Sequence, residues 1–370
     1  MKNNKSFNEK KIWPDSKLIN YTILDPSGNI TALVSNADID VNDVALRKKI
    51  NDAIITANPN VEQVGFLTQV EKEIDGKQQK IWKIQMAGNE FCGNASRAFA
   101  CYLVDKKLIN KLEFPIMCSG NNNVLNAKVS CEAKNDKKYY SDVEMPFNKN
   151  ISNILQTKQI NKIILQDADI FPETSSSVIR QKSNEKTNVD VVKLDGITHV
   201  LIDIRKFPME NESICKRKAK EVIKALNLQN EPAVGVIWCN FKTNTINPFV
   251  WVKDVDTIYY ENACGSGSLA YGIKKSTMQE EKNIAVRQKN GQIIDVKVEA
   301  NNECIKSSKI GGETIIGIDK SIDVDNGKDF AKTPNQSPLK TDECIKNVAI
   351  LKENLSTQNI TKDKIKNICK

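Results

Sequence analysis

Cys92-Gly93-Asn94-Ala95-Ser96-Arg97-Ala98-Phe99-Ala100 returns later in the chain as Cys264-Gly265-Ser266-Gly267-Ser268-Leu269-Ala270-Tyr271-Gly272. Cysteine, glycine, serine and alanine recur in register, and an aromatic residue aligns with an aromatic one. Each copy follows a strand-like stretch, Ile81 to Met86 in one case and Val250 to Tyr260 in the other. Each also has a glutamate just ahead of the cysteine (Glu90, Glu261) and opens a helix-like run. Two thiols placed alike at two helix starts predict a pseudo-twofold protein in which each half lends one cysteine to a shared cleft. Such a pair suits removal of a proton from one face of a carbon and delivery of a proton to the other.

The physical reason lies in the helix start. Unpaired backbone N–H groups and the helix dipole favour a thiolate there, which lowers the thiol pKa toward neutrality. Gly93 and Gly265 let the backbone approach a ligand closely. The N–H groups of Gly93-Asn94 and Gly265-Ser266-Gly267 form an anion cradle on this reading. Two such cradles converging on one point grip a carboxylate and stabilise the enediolate-like charge left when the neighbouring carbon loses its proton. An amino acid Cα–H is a very weak acid, so with no cofactor as electron sink the protein must supply that stabilisation. One cysteine must be a thiolate base and the other a neutral thiol acid, with roles exchanged in reverse. Glu90 and Glu261 are candidates to relay protons or hold an ammonium group. The single histidine, His199, lies at the edge of a strand and is a candidate partner for one thiol.

Composition excludes several classes. The formal net charge of +8 comes mainly from scattered lysines, without the clustered basic residues and interleaved aromatics of a nucleic-acid site. No apolar run reaches the length of a membrane span, and Met1 to Lys11 lacks the apolar core of a secretory signal. The ten cysteines contain no C-x-x-C, so neither a zinc site nor a thioredoxin motif is indicated, and a reducing cytoplasm is the expected compartment. Cys101, Cys118, Cys131, Cys215, Cys239 and Cys304 read as core. The phosphate-binding fingerprints G-x-x-x-x-G-K-[ST] and G-x-G-x-x-G are both missing, so no nucleotide, metal or other cofactor is expected.

Strands outnumber helices along the chain. After a polar leader, 1–17, strands are expected at Ile19 to Leu24, Ile30 to Val34, Val64 to Leu67 and Gln79 to Met86. Asp43 to Ala57 reads as a helix with Leu46, Ile50 and Ile54 on one face, and the Cys92 helix runs to about Val104 or Lys107. Asn148 to Lys186 is polar and insertion-like. The second half has strands between Val189 and Asp203, at Val234 to Trp238 and at Pro248 to Lys253, with a helix over Cys215 to Leu226. After the Cys264 helix come hairpin-like segments up to Ile318. The class is α+β, with each lobe curling a sheet around a helix. From Asp323 a polar linker, including Asp325-Asn326-Gly327-Lys328, leads to a short amphipathic helix at Thr341 to Leu355. That helix suits either a peripheral extension or a homodimer contact.

From about Leu18 to Ile318 these motifs resemble the diaminopimelate epimerase-like superfamily of pyridoxal-independent amino-acid racemases. Glu90-Phe91-Cys92-Gly93-Asn94 is similar to its first catalytic motif. Glu261-Asn262-Ala263-Cys264-Gly265-Ser266-Gly267 is similar to the second, usually A-C-G-[TS]-G. Pro26-Ser27-Gly28-Asn29 sits where the superfamily has an N-terminal G-N segment, which implies that Asn29 touches substrate. His199 falls where the superfamily has N-P-H, and Met145-Pro146 resembles the start of the second lobe. The resemblance implies two pseudo-symmetric lobes, each a barrel-like sheet around a central helix: 18–146, then 147–307, with 308–322 returning to the first lobe and 323–370 as an extension.

The departures bear on substrate. Thr198 replaces the proline of N-P-H, no E-R-G precedes the second cysteine, and an asparagine usual near Ala233 to Val236 is missing. Those groups grip the far end of diaminopimelate. The compact motifs look more like the histidine racemases of the superfamily, which in some bacteria feed opine metallophore synthesis. Asn94 argues against proline racemases, which show C-G-H, and the phenazine-type isomerases lack the paired cysteines. The expected activity is a cofactor-independent racemase of a free amino acid, with histidine as the leading substrate. Diaminopimelate or lanthionine epimerisation, and a silent amino-acid-binding protein of the same fold, are the alternatives.

Overall fold

A computed structural model describes residues 18–131, 137–166, 185–278, 282–300, 303–325 and 328–331. The leader, the tail helix and residues 167–184 of the polar stretch before Lys186 lie outside the described residues. Strand β1 (Leu18–Asp25) pairs antiparallel with β2 (Thr31–Val34), and helix α1 (Val44–Ala57) crosses over to β3 (Gln63–Ile74), parallel to β2. β4 (Lys77–Met86) returns antiparallel to β3, and helix α2 (Gly93–Asp105) crosses to β5 (Glu113–Cys118), parallel to β4. β6 (Leu125–Cys131) and β7 (Lys138–Glu144) follow as antiparallel neighbours.

One turn of helix, α3 (Ile151–Ile154), and β8 (Leu155–Asn161) lead into a second pass along the same path. β9 (Lys186–Leu194) and β10 (Ile197–Asp203) are antiparallel, and α4 (Glu212–Ala225) crosses to β11 (Ala233–Asn240), parallel to β10. β12 (Thr245–Val252) returns, with β13 (Thr257–Tyr260) on its flank. α5 (Gly265–Met278) then crosses to β14 (Asn283–Arg287), which meets β12 in parallel at Thr245 and Arg287. β15 (Ile293–Ala300) and the long β16 (Ile305–Asp323) complete the pass.

β16 serves both passes. Its first part pairs with β15, from Ile305 opposite Ala300 to Gly311 opposite Asp295. Its later part lies between β7 and β1, closing the first sheet into a ring of eight strands. β8 makes the reciprocal crossing, leaving β7 to pair with β9 from Leu155 opposite Val192 to Asn161 opposite Lys186. The polar, insertion-like segment therefore contains a strand. Its polar residues Gln156 to Gln159 face solvent, so no apolar alternation marks it. Lys328, expected in the linker, instead opens β17 (Lys328–Ala331), antiparallel to β16.

The inner helices explain their own composition. Eleven residues of α2, Gly93 to Leu103, are buried inside the first ring, where Ala98, Phe99 and Leu103 pack with Ile84, Ile116 and Val143. α5 fills the second sheet in the same way, with Leu269, Tyr271 and Ile273 against Val286, Val296 and Val298. A helix enclosed on all sides needs small residues where strands press closest. A Cβ on Gly272 would stand 2.4 Å from Val296 Cγ1. α1 and α4 cover the outer faces and are one-sided, capped by Asp43 and Asn211, whose side chains accept the N–H of Leu46 and Ile214. Among the described residues no helix is long and apolar enough to cross a membrane.

Candidate active site

The two inner helices start side by side. Cβ atoms built on Gly93 and Gly265 would stand 2.7 and 3.0 Å from the same Ile310 Cδ1. Asn94 Nδ2 donates to Ala263 O across the junction at 3.4 Å. A methyl on either glycine would press on the ends of Ile310 and of Met145 or Asn94, which would have to give way. In front of them opens a cavity of ≈ 680 Å³. Its wall contains Cys92, Gly93 and Asn94 from the first motif and Glu261, Cys264, Gly265 and Ser266 from the second, with Asn29 and Glu90.

The backbone treats the two sulfurs alike. Cys92 Sγ accepts the N–H of Ala95 at 3.4 Å, and Cys264 Sγ accepts the N–H of Gly267 at 3.3 Å. Ser96 and Ser268 each donate a hydroxyl to their cysteine's carbonyl, at 2.8 and 2.7 Å. These contacts favour thiolates, but burial works against them more strongly. Desolvation pushes the Cys92 thiol up to about 12 and Cys264 well above its ordinary value. The expectation that helix starts bring both thiols toward neutrality fails here. One N–H per sulfur does not replace the water each has lost.

The surrounding side chains differ. Asn29 Oδ1 is 4.0 Å from Cys92 Sγ and is fixed by Gln63 Nε2 at 2.7 Å, while Asn29 Nδ2 donates to Glu62 at 2.6 Å. Glu62 also accepts from Asn262 Nδ2 at 3.0 Å, tying the Asn29 turn to the second motif. Glu90 bends back over its own turn toward Gly88. Burial raises its carboxyl above the ordinary range. Glu261 instead lies against the Cys264 thiol, and burial carries its pKa to about 7. The Cys264 N–H is held by Gln288 Oε1 at 3.0 Å.

His199 does not enter the cavity. It is fully buried behind Ser266, with Nε2 3.0 Å from Ser266 Oγ, which stands 3.6 Å from Cys264 Sγ. Burial depresses the imidazole to about 3, so the ring is neutral. Among the described residues Nδ1 has no hydrogen-bond partner, and it faces Gly235, where a Cβ would stand 2.2 Å away. The structure thus links His199 to Cys264 through Ser266. Gly267 lies under the sulfur rather than in the wall. Cys101, Cys118, Cys215 and Cys239 are buried thiols, and Cys304 is half-buried.

Sequence reasoning missed Glu62, Gln63, Asp195, Asp254 and Gln288. None belongs to a motif, and each reaches the site through strand pairings or hydrogen bonds distant in sequence. Among the described residues the cavity wall holds five carboxylates, from Glu62, Glu90, Asp195, Asp254 and Glu261, and no lysine, arginine or histidine. The arrangement suits a small zwitterion with further positive charge: helix-start N–H groups for its carboxylate, carboxylates for its cationic groups, and a thiol from each half.

Comparison with known proteins gives the family of the chain. Residues 18–171 and 170–319 each match the family described as Histidine racemase CntK N-terminal domain. A histidine racemase of Fusobacterium nucleatum subsp. nucleatum is 28% identical over 279 residues, which is 74% of this chain and 87% of that protein. A histidine racemase of Staphylococcus aureus is 23% identical over 280 residues, 75% of this chain and 88% of that protein. The crystal structure of a hydroxyproline epimerase from Agrobacterium vitis, with bound trans-4-hydroxy-L-proline, superimposes with a TM-score of 0.53 at 11% identity. It covers 86% of this chain and 94% of that one, a likeness of fold alone.

Proposed function

The chain belongs to the histidine racemase CntK family of amino-acid racemases, and from that premise we propose that it interconverts L- and D-histidine, with Cys92 and Cys264 as the two acid/base groups. The supporting observation is the meeting of two equivalent helix starts, each bearing a thiol, at one cavity. The α-carboxylate docks on the backbone N–H groups of Gly93, Asn94, Gly265 and Ser266, with Asn29 beside it. The same donors stabilise the enediolate as Cα loses its proton. One cysteine, as thiolate, takes that proton, and the thiol of the other delivers its own to the opposite face. No pyridoxal cofactor is needed on this reading.

Burial raises both thiols above their ordinary range. A bound ammonium restores positive charge near the sulfurs and lowers the cost of a thiolate. Glu261, titrating near neutrality against Cys264, is suited to hold that thiol's proton between turnovers. The neutral His199 orients Ser266 rather than exchanging protons itself. Substrate choice follows from charge. The α-ammonium and the imidazole suit a wall of carboxylates, whereas diaminopimelate and lanthionine carry a second carboxylate that this wall repels.

The test is turnover of L- and D-histidine in D2O, followed by circular dichroism and by mass spectrometry of Cα deuteration. Racemisation with deuterium uptake is expected, with histidine preferred over diaminopimelate and lanthionine by at least ~100-fold. Preference for diaminopimelate would reverse the substrate assignment, and no Cα exchange with any amino acid would mark a binding protein.

A further inference from the structure

Gln288 is the first residue past β14, and it is buried. Its side-chain amide is fully engaged. Oε1 accepts the Cys264 N–H at 3.0 Å, while Nε2 donates to Ser268 Oγ at 2.8 Å and to Val286 O at 3.0 Å. The Ser268 hydroxyl in turn donates to Cys264 O at 2.7 Å. One amide therefore holds Cys264 at both ends of its backbone, the N–H directly and the carbonyl through a hydroxyl. Gln288 itself stands behind the cavity wall rather than in it. A buried amide with every polar atom paired to a neighbour leaves the residue it grips little freedom to move.

The same turn reaches the other half. Gln288 N–H donates to Gln292 O at 2.8 Å and Gly291 N–H to Gln288 O at 3.0 Å, which closes the chain between β14 and β15 with Gly291 at φ +84. Beside Gln288, Lys289 Nζ stands 3.7 Å from the centre of the Tyr260 ring, the residue before Glu261. Asn290 Nδ2 then donates to Ser27 O at 3.1 Å, and Asn290 Oδ1 accepts the Gln292 N–H at 3.0 Å. Ser27 belongs to the turn that carries Asn29, whose Oδ1 is 4.0 Å from Cys92 Sγ. Three consecutive residues thus touch the Cys264 backbone, the strand leading into its motif, and the Asn29 turn. The first half holds its own loop differently. Ser119, the first residue past β5, donates to Glu90 O at 2.8 Å and accepts the Met86 N–H at 2.9 Å. It grips the chain two residues ahead of Cys92, whereas Gln288 reaches the N–H of Cys264 itself.

We propose that the turn after β14 is the positioning element of the racemisation site: Gln288 fixes the residue that carries the Cys264 sulfur, and Asn290 fixes the Asn29 turn beside Cys92. The proposal rests on Cys92 and Cys264 being the acid/base pair. A backbone released from Gln288 moves its sulfur, and a proton-transfer group misplaced by about 1 Å loses on the order of 100-fold in rate. That loss falls on the Cys264 transfer alone, because the Cys92 loop is held by Ser119.

The experiment follows inversion and Cα deuteration of L- and D-histidine in D2O, with the full chain carrying Gln288→Met, Gln288→Glu or Asn290→Ala, each below its thermal midpoint. Gln288→Met keeps the length of the side chain and removes its donor and acceptor. Its kcat is expected to fall ~100-fold while KM changes far less. For the enantiomer whose proton Cys92 takes, deuteration then outruns inversion, since the delivering thiol is the displaced one. For the mirror image both fall together. Gln288→Glu keeps an acceptor for the Cys264 N–H and recovers about tenfold of the lost kcat. Asn290→Ala, at an exposed position, raises KM about fivefold, with a smaller change in kcat and the exchange-to-inversion ratio as before. A loss shared equally by the two enantiomers, no rescue by glutamate, or an unchanged KM in Asn290→Ala overturns the proposal. If Gln288→Met fails to fold, the same asymmetry between enantiomers must appear in Gln288→Glu. The unsubstituted protein keeps the two readings apart: no turnover of histidine there sinks the racemase assignment, whereas normal turnover matched by all three variants sinks this one.

Discussion

The first and second cysteine motifs share a backbone and differ in nearly every side chain around the sulfur. Both sulfurs accept an N–H from the third residue onward, and both carbonyls accept a serine hydroxyl. Around Cys92 stand an amide turn and a glutamate folded away. Around Cys264 stand a glutamate in contact, a serine and a neutral histidine behind it. Duplication supplies mirror-like placement of two identical groups, which a reaction at both faces of a carbon needs. Divergence of the neighbours supplies different proton affinities, which the same reaction needs because acid and base cannot begin in the same state.

The strongest way to break this comparison is to remove one sulfur at a time. Cys92→Ala and Cys264→Ala should each lower histidine racemisation by ~1,000-fold or more, since each removes an acid/base group that no neighbour replaces. Chiral chromatography checks this, and near-normal turnover in either variant would end the two-base account. Glu261→Gln separates the halves next. The carboxyl titrates near 7, so in the original protein kcat/KM should fall as pH drops through about 7 and the base is protonated. The variant should lose ~100-fold in the plateau and lose that acidic limb. Glu90→Gln, in the first half, should keep the limb.

Part of this contrast was legible in the chain and part was not. Helix starts at Gly93 and Gly265 followed from local signals, a small-residue run after a strand, and both helices begin there. The repeat itself revealed the α+β duplication. β8 escaped notice because a strand whose middle residues face solvent has no alternation to read. Glu62 escaped for another reason, because its significance comes from a partner on another element, Asn262. The fall of both thiol pKa values expected from the helix dipole also failed, because sequence shows the donors but not the depth of burial that opposes them.

Smaller effects sharpen the second half. Gly235→Ala puts a methyl where the His199 ring lies, since the Cβ would be 2.2 Å from Nδ1. The ring must shift, Ser266 loses its partner, and stability should drop by ~1–3 kcal/mol. Turnover should fall about tenfold, the lower end expected for a misplaced proton-transfer group. Urea unfolding and steady-state kinetics measure the two losses.

His199→Gln should cost turnover least, because a ring that stays neutral exchanges no proton, yet it gives the clearest sign. In the folded chain the imidazole titrates near 3, against an ordinary value of 6.5. Below 6.5 the unfolded chain binds a proton that the folded chain refuses, so stability falls as pH drops from 6.5 toward 3 and is fully present above 6.5. Glu261 acts oppositely. Its raised pKa of about 7, against 4.5, means the folded chain binds the extra proton and gains stability as pH falls through that window. The histidine slope is therefore measured in the Glu261→Gln background, as thermal midpoint against pH between 6.5 and 5. Adding His199→Gln should flatten it, and because this chain has a single histidine, no other imidazole can supply the slope. An unchanged slope in the double variant would mean that His199 is charged in the folded protein. The Cys264 half would then hold a charged ring behind Ser266, and the neutral partner assigned to that hydroxyl would be wrong.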